Sequence, residues 1–403
     1  MGIHNFEKTY TSARERVENA PISGRNKELI LRFVDDLALE NLSKVRLTKY
    51  CVTMQLLAQR LGRDFDVATK DDLKTVISAI QLRDDYSVWT KKGYKITLRR
   101  FYKWFLNSKT TPDIVDFITI TIKRAERKLP SEGDLLTEDE VRKLIAAAQH
   151  PRDKAFVAML WESGARVSEI GNLCFKNVLF DKFGTLITVQ GKTGSRKIRL
   201  ISSTPYLSTW MNNHPFREDK QAPLWINIGN VNHSKPMRYN GLRKNLILLA
   251  QRAGVTKRIN PHTFRHSRAT FMANHLTEFQ MNQYFGWIQG SDMPSTYVHM
   301  SGKEVDFAVL KMNGIESAEK KSIPKLNPII CPRCDTINAS ESKHCLKCGG
   351  ILDLKAAMEL EVRQTKELEM RSASDQILNQ LFKDGEVQRF LAEKLKELGK
   401  LSL

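Results

Sequence analysis

The chain has 403 residues, 41% hydrophobic and 27% charged, with 64 Lys and Arg against 45 Asp and Glu and a formal net charge of +19. That length suggests two or three domains with ordinary packed cores. The cation excess points to a polyanionic partner, because Lys and Arg release condensed counterions when they neutralise phosphates. No apolar run in the sequence is long enough to span a bilayer, and residues 1–20 are too polar for a secretory signal; no membrane partner is expected, and a cytosolic (cytoplasmic) location is.

Residues 1–125 read as an all-α domain. Leu29, Phe33, Leu37 and Leu39 recur near helical spacing ahead of the stop-like Asn41, and further helices are expected over 45–61, 70–80 and 89–107. In the last of these Tyr94, Leu98, Phe101 and Phe105 share one face. Lys92, Lys95, Arg99, Arg100 and Lys103 cover the others, with no acid between Lys91 and Lys109; the pattern suits a solvated helix surface and a DNA-facing one equally. A linker is expected over 108–136. Thr137 ahead of Glu138-Asp139-Glu140 then marks a capped helix start. Residues 137–313 read as α+β: helices plus a β-hairpin in which 186–189 and 196–200 flank Gly191-Lys192-Thr193-Gly194.

Four stretches of this middle segment carry chemistry. They are Ser163-Gly164-Ala165-Arg166-Val167-Ser168-Glu169-Ile170, Gly191-Lys192-Thr193-Gly194, His262-Thr263-Phe264-Arg265-His266, and Gly286-Trp287 followed ten residues later by Tyr297. Transferring a phosphodiester without a metal requires its charge to be neutralised. Arg does this with a planar fork that keeps its proton, and two of them can clamp both nonbridging oxygens. A Tyr phenol can attack phosphorus and form a covalent ester, but its pKa near ~10 calls for a base or a strong positive field. His accepts protons near neutral pH, and a Lys on a hairpin tip can protonate a leaving oxygen.

In this order the blocks resemble the catalytic domain of the tyrosine recombinases, the family of phage integrases and Xer proteins. The resemblance spans roughly residues 137–303, and the helical first segment is similar to the family's SAM-like core-binding domain. It implies that Arg166 and Arg265 bind the scissile phosphate, Lys192 is the general acid and His262 the general base. Glu169 would support the site by hydrogen bonding. Tyr297 would form a 3′-phosphotyrosyl bond that a freed 5′ hydroxyl later resolves. The phosphoester energy is conserved, so neither a nucleotide cofactor nor a catalytic metal is implied. The family acts as a homo-tetramer on two sites in double-stranded DNA, for integration, excision or resolution.

Trp287 stands where many members carry His, as it does in some others. Its indole N–H still donates to a phosphate oxygen, although its spacing to Tyr297 is one residue longer than the common pattern. Arg196 and Lys197 are rivals to Lys192. Tyr284, a rival nucleophile, reads as core, and His266 and His299 read as structural. Two other functions fit the same features. One is a topoisomerase IB-like nicking and resealing enzyme; the other is a DNA-binding protein without catalysis.

Six cysteines are present: Cys51 and Cys174 stand alone, while Cys331, Cys334, Cys345 and Cys348 form two Cys-x-x-Cys pairs ten residues apart. That spacing suits tetrahedral thiolate ligation of a structural Zn²⁺, with Gly349-Gly350 permitting a tight turn. A zinc ribbon is expected over 326–352, similar to those appended to integrase-like proteins of archaea. Its Arg333, Lys343, His344 and Lys347 suit phosphate contact, and the ribbon equally suits docking a protein partner. The last segment, 353–403, reads as a helical tail broken at Asp384-Gly385; it nets −1, leaving +20 on the first 352 residues. Ile377, Leu381, Leu391, Leu395 and Leu398 suit a partner helix. The fold class expected is therefore multidomain: an all-α domain, an α+β domain, a small zinc ribbon and a helical tail.

Overall fold

The computed structural model describes residues 2–123, 131–301, 309–310, 312–313 and 326–397. By contacts these form two compact units, one of residues 1–135 with 225–244, the other of 136–224 with 245–403.

In the first unit five helices enclose one core: α1 (Phe6–Glu18), α2 (Gly24–Leu39), α3 (Lys44–Leu61), α4 (Lys70–Gln81) and α5 (Val88–Phe105). Leu29, Phe33 and Leu37 of α2 meet Leu47, Met54 and Leu57 of α3 and Leu98 and Phe101 of α5. Serines and threonines fix the starts: Ser23, Thr69 and Ser87 each accept an amide three residues on. Two expectations need correction. Leu39, counted with the apolar stripe, is 82% exposed. The first part of the expected linker is not solvated either: Val115 and Ile118 are buried in the same core, around a short 3₁₀ turn at Asp113–Val115. Residues 124–130 of that linker lie outside the described residues.

The second unit opens with α6 (Glu138–Ala147), α7 (Pro151–Ser163) and α8 (Val167–Gly171). Thr137 caps α6 reciprocally with Glu140, as its sequence suggests. A three-stranded antiparallel sheet follows, in the order β1 (Val178–Asp181), β2 (Gly184–Gly191), β3 (Gly194–Leu200). The pairing Gly191↔Gly194 leaves Lys192 and Thr193 as a two-residue turn. Then come α9 (Thr204–Asn212), α10 (Tyr239–Arg252), of which only the part from Asn245 on is counted in this unit, α11 (Pro261–Ala273), α12 (Glu278–Phe285) and α13 (Met293–Ser301). The cysteine segment folds as a small β-hairpin of β4 (Ile329–Ile330) and β5 (Ile337–Asn338), packed beside α9. There the Tyr206 hydroxyl donates to the Glu341 carboxylate at 2.6 Å. Two tail helices, α14 (Leu354–Leu381) and α15 (Gly385–Glu397), complete the described chain. Ile377, Leu381 and Leu395 are solvent-exposed, and Leu391 is partly so; Leu398 lies outside the described residues. No described helix is long and apolar enough to cross a membrane.

Candidate active site

The site is assembled around one buried carboxylate. Arg166 caps the start of α8, and its backbone N–H donates to Glu169 Oε2 at 2.8 Å while its Nη1 donates to Oε1 at 3.0 Å. From β3, Arg196 meets the same carboxylate with two parallel bonds of 2.9 and 2.8 Å, the bidentate geometry a guanidinium favours. Burial pushes the Glu169 pKa up, but the Arg196 hydrogen bonds and charge, then those of Arg166, outweigh it and hold the group below the usual carboxylate range. Two glycines make room. A Cβ at Gly191 would lie 2.4 Å from Glu169 Oε1, and one at Gly286, whose φ is +62°, would lie 2.7 Å from Arg196 Nη1.

A second guanidinium enters from α11. Arg265 is buried, donating to the Gly164 carbonyl at 3.0 Å and to the Phe285 carbonyl at 2.7 Å. The next carbonyl, Gly286, accepts from Arg166 at 3.4 Å and from the Thr193 hydroxyl at 3.2 Å. Thus one corner, Phe285-Gly286-Trp287, ties together both expected phosphate-binding arginines and the hairpin turn. Burial, then the Arg166 charge, lowers the Arg265 pKa to about 10, so it stays charged at neutral pH. Arg166, Arg196 and Arg265 face one carboxylate, leaving positive charge that an anion would balance.

Tyr297 on α13 lies against the same corner. Its ring stacks on Trp287 at 5.5 Å and 3°, Trp287 in turn stacks on Phe285, and the Arg265 guanidinium lies 5.4 Å over the Trp287 ring. Tyr297 is 2% exposed, and burial raises its pKa to about 12 despite the opposing Arg265 charge. Its hydroxyl lies 2.7 Å from His266 Nδ1. His262, the expected base, is exposed at the first turn of α11; partial burial, then the Arg265 and Arg166 charges, lowers its pKa. The Asn260 side chain accepts the His262 and Thr263 amides at 2.9 and 3.1 Å, which fixes the start of that helix. Asn260→Ala is expected to cost about 1 kcal/mol, read as a lowered denaturation midpoint.

The rivals are sorted by the same geometry. Arg196 points inward on β3 and is consumed by Glu169, while Lys197 lies on the other side of the strand and is exposed. Lys192 sits exposed on the turn. Tyr284 donates to the Glu162 backbone carbonyl at 2.8 Å, a structural bond. The His299 side chain lies outside the described residues. Sequence reasoning missed two partners, His266 and Arg196. A signal existed for both: His266 is one helical turn beyond His262, and Arg196 alternates with the inward Ile198 and Leu200, so it required a buried acid.

The five cations expected to face DNA lie in the first unit, on α5. Arg100 pairs with Glu40, Arg99 bonds the Thr111 hydroxyl, and Lys92 lies over Trp89. Lys95 is half-exposed and Lys103 exposed.

The four cysteine sulfurs of the small hairpin lie within 4.8 Å of one another. Asp335 and Gly349, both at positive φ, turn the two knuckles back, and the Cys331 and Cys345 carbonyls accept the Asp335 and Gly349 amides. The Cys348 amide, then that of Lys347, lowers the Cys345 pKa to about 6 against the opposing effect of burial. Buried Asn338 also reaches the Cys345 sulfur at 3.6 Å. Such a donor set fits a tetrahedral metal ion.

The model of the Phage integrase family matches residues 134–304. The chain is 26% identical over 308 residues to the tyrosine recombinase XerA of Pyrococcus horikoshii, covering 72% of this chain and 96% of that one. Among solved structures it resembles the XerH site-specific recombinase in a post-cleavage complex with a palindromic difH substrate, at TM-score 0.54 and 16% identity, over 76% of this chain and 95% of that one. It also resembles a lambda integrase tetramer bound to a Holliday junction, at TM-score 0.50 and 15% identity, over 66% and 78%. Arg166, Glu169, Arg265, Trp287 and Tyr297 gather at one corner of the matched region, and residues 134–304 are a domain similar to those of the phage integrase family.

Proposed function

We propose that this chain is a site-specific DNA recombinase that cleaves and rejoins strands through a phosphotyrosyl bond to Tyr297. The observation that carries the reading is the shared corner: consecutive carbonyls of Phe285 and Gly286 anchor Arg265 and Arg166, and the next residue stacks on Tyr297. A phosphodiester seated against the two guanidinium groups has its charge neutralised where it grows during attack. Tyr297 Oη bonds to phosphorus and the 5′ oxygen leaves with a proton from Lys192. The freed 5′ hydroxyl of a second strand later reverses the step. The formal net charge of +19 and the difH substrate and Holliday junction bound by the two solved neighbours support double-stranded DNA as the substrate, with the α5 cations Lys92, Lys95 and Lys103 as backbone contacts. Four copies on two DNA sites is the assembly this chemistry requires for exchange, and the cytosol is its compartment.

The test is covalent capture. Full-length protein is incubated with a library of nicked duplexes of randomised sequence, and detergent-stable adducts are sequenced and digested. A phosphotyrosyl peptide containing Tyr297 is expected; capture through Tyr284, or none, contradicts the reading. Relaxation of supercoils on DNA lacking the recovered sequence would point instead to a topoisomerase-like activity. Lys192→Ala is expected to slow cleavage by about a hundredfold or more. A substrate whose 5′ bridging oxygen is sulfur needs no acid, and is expected to restore most of that loss.

Cys331, Cys334, Cys345 and Cys348 would hold a Zn²⁺ ion, whose role is to supply folding energy that so small a segment cannot find in a core of its own. A chelator is expected to unfold residues 331–350 and to release Tyr206 from Glu341. That release is read as a fall in the phenol's pKa, held well above its ordinary range first by burial and then by Glu341. The main melting transition of the second unit is expected to survive.

A further inference from the structure

Attack by a phenol leaves a proton to dispose of. Tyr297 is 2% exposed, with Trp287 stacked on one face of its ring, so a protein group beside the hydroxyl is better placed than bulk water to take the proton. His266 Nδ1 stands 2.7 Å from the phenolic oxygen. Among the described residues no hydrogen bond joins His262 to Tyr297; His262 stands one turn earlier on α11, at the open edge beside Arg166 and Arg265. The two imidazoles therefore divide the site. One is in contact with the nucleophile, the other with the positive pocket.

We propose that His266, and not His262, takes the Tyr297 proton during cleavage and returns it during rejoining. The proposal rests on the recombinase reading above. In the forward step the Oη–P bond forms and the P–O5′ bond breaks. The phenolic proton passes to Nδ1, giving an imidazolium, and the 5′ oxygen is protonated by Lys192. In the reverse step a 5′ hydroxyl attacks phosphorus, the Tyr297 oxygen departs, and Nδ1 hands its proton back.

This requires a neutral ring with its hydrogen on Nε2. The surroundings favour neutrality. Burial, then His262 and Arg265 on the same helix, disfavours the cation. From α13 the facing group is the Tyr297 hydroxyl, and after α12 it is the uncharged Trp287 stacked on that tyrosine. Glu162 on α7 is spent on the amides of Ile201, Ser202 and Ser203. His262, at the rim, is left to donate to a phosphate oxygen.

The experiment uses full-length protein and the duplex recovered from wild-type adducts. Single-turnover adduct formation is followed from acid to alkaline pH for wild type, His266→Gln, His266→Asn and His262→Ala, with DNA binding and thermal unfolding as controls. Folded, DNA-binding His266 variants are expected to lose about a hundredfold or more in rate, with the remainder rising with pH as phenolate forms. His262→Ala is expected to be slowed but to keep the wild-type fall in rate at acid pH. Gln and Asn can still donate to the phenol but accept no proton at this position. Wild-type rates in either variant, or transfer of the acid limb to His262, overturn the proposal. A wild-type protein that forms no adduct on any duplex sinks the recombinase reading and this proposal with it; an adduct indifferent to His266 sinks this proposal alone.

Discussion

Tyr297→Phe is expected to abolish covalent protein–DNA adducts while leaving the fold and DNA affinity nearly intact. Phe keeps the ring that stacks on Trp287 and removes only the oxygen bonded to His266, so the stability loss is about 1 kcal/mol. The Lys and Arg residues that set phosphate affinity are untouched, and binding should stay within about twofold of wild type at matched salt. An adduct formed by the variant on a nicked duplex would remove Tyr297 from the mechanism. A collapse of binding together with adducts would show that the substitution had damaged more than the nucleophile.

The second large effect is expected at Glu169. Its side chain is 1% exposed and meets two guanidinium groups, one of them, Arg196, only 10% exposed. Glu169→Ala strands a buried cation and is expected to destabilise the second unit by about 3–5 kcal/mol. The double variant Glu169→Leu with Arg196→Met removes the whole pair, and is expected to recover most of the stability but little of the cleavage, because Arg166 loses the carboxylate that orients it. The wild-type pair also predicts acid sensitivity. The folded pKa of Glu169 is depressed below its ordinary 4.5, so its stabilisation is complete above that value and is lost as pH falls through the lower folded one. Equal stabilities for Glu169→Ala and the double variant in denaturant titrations would show that the pair is not coupled in this way.

Much of the site was readable before any coordinates because its chemistry is local. Arg166 and Glu169 are three residues apart, His262 and Arg265 likewise, and the turn around Lys192 announces itself by two glycines. Helices α2 and α5 followed from apolar spacing, and α6 from its capping residue Thr137. What escaped was set by distance along the chain. The Tyr206–Glu341 contact joins residues 135 apart, and neither carries a local signal of the other. Val115 and Ile118 were read as linker because their neighbours Thr110, Thr111 and Pro112 are turn formers, yet tertiary burial overrode that composition. Strand β1 went unread because it has only four residues and its side chains are largely exposed, which leaves little apolar alternation to detect.

The long tail helix has a mechanical consequence. At 28 residues and 1.5 Å per residue, α14 is a boom about 42 Å long. A floppy tether would offer α15 throughout a sphere; this rod delivers it at one radius and one rotational phase. Inserting four residues would lengthen the boom by about 6 Å and swing its far end by about 40°, whereas inserting seven would nearly preserve the phase.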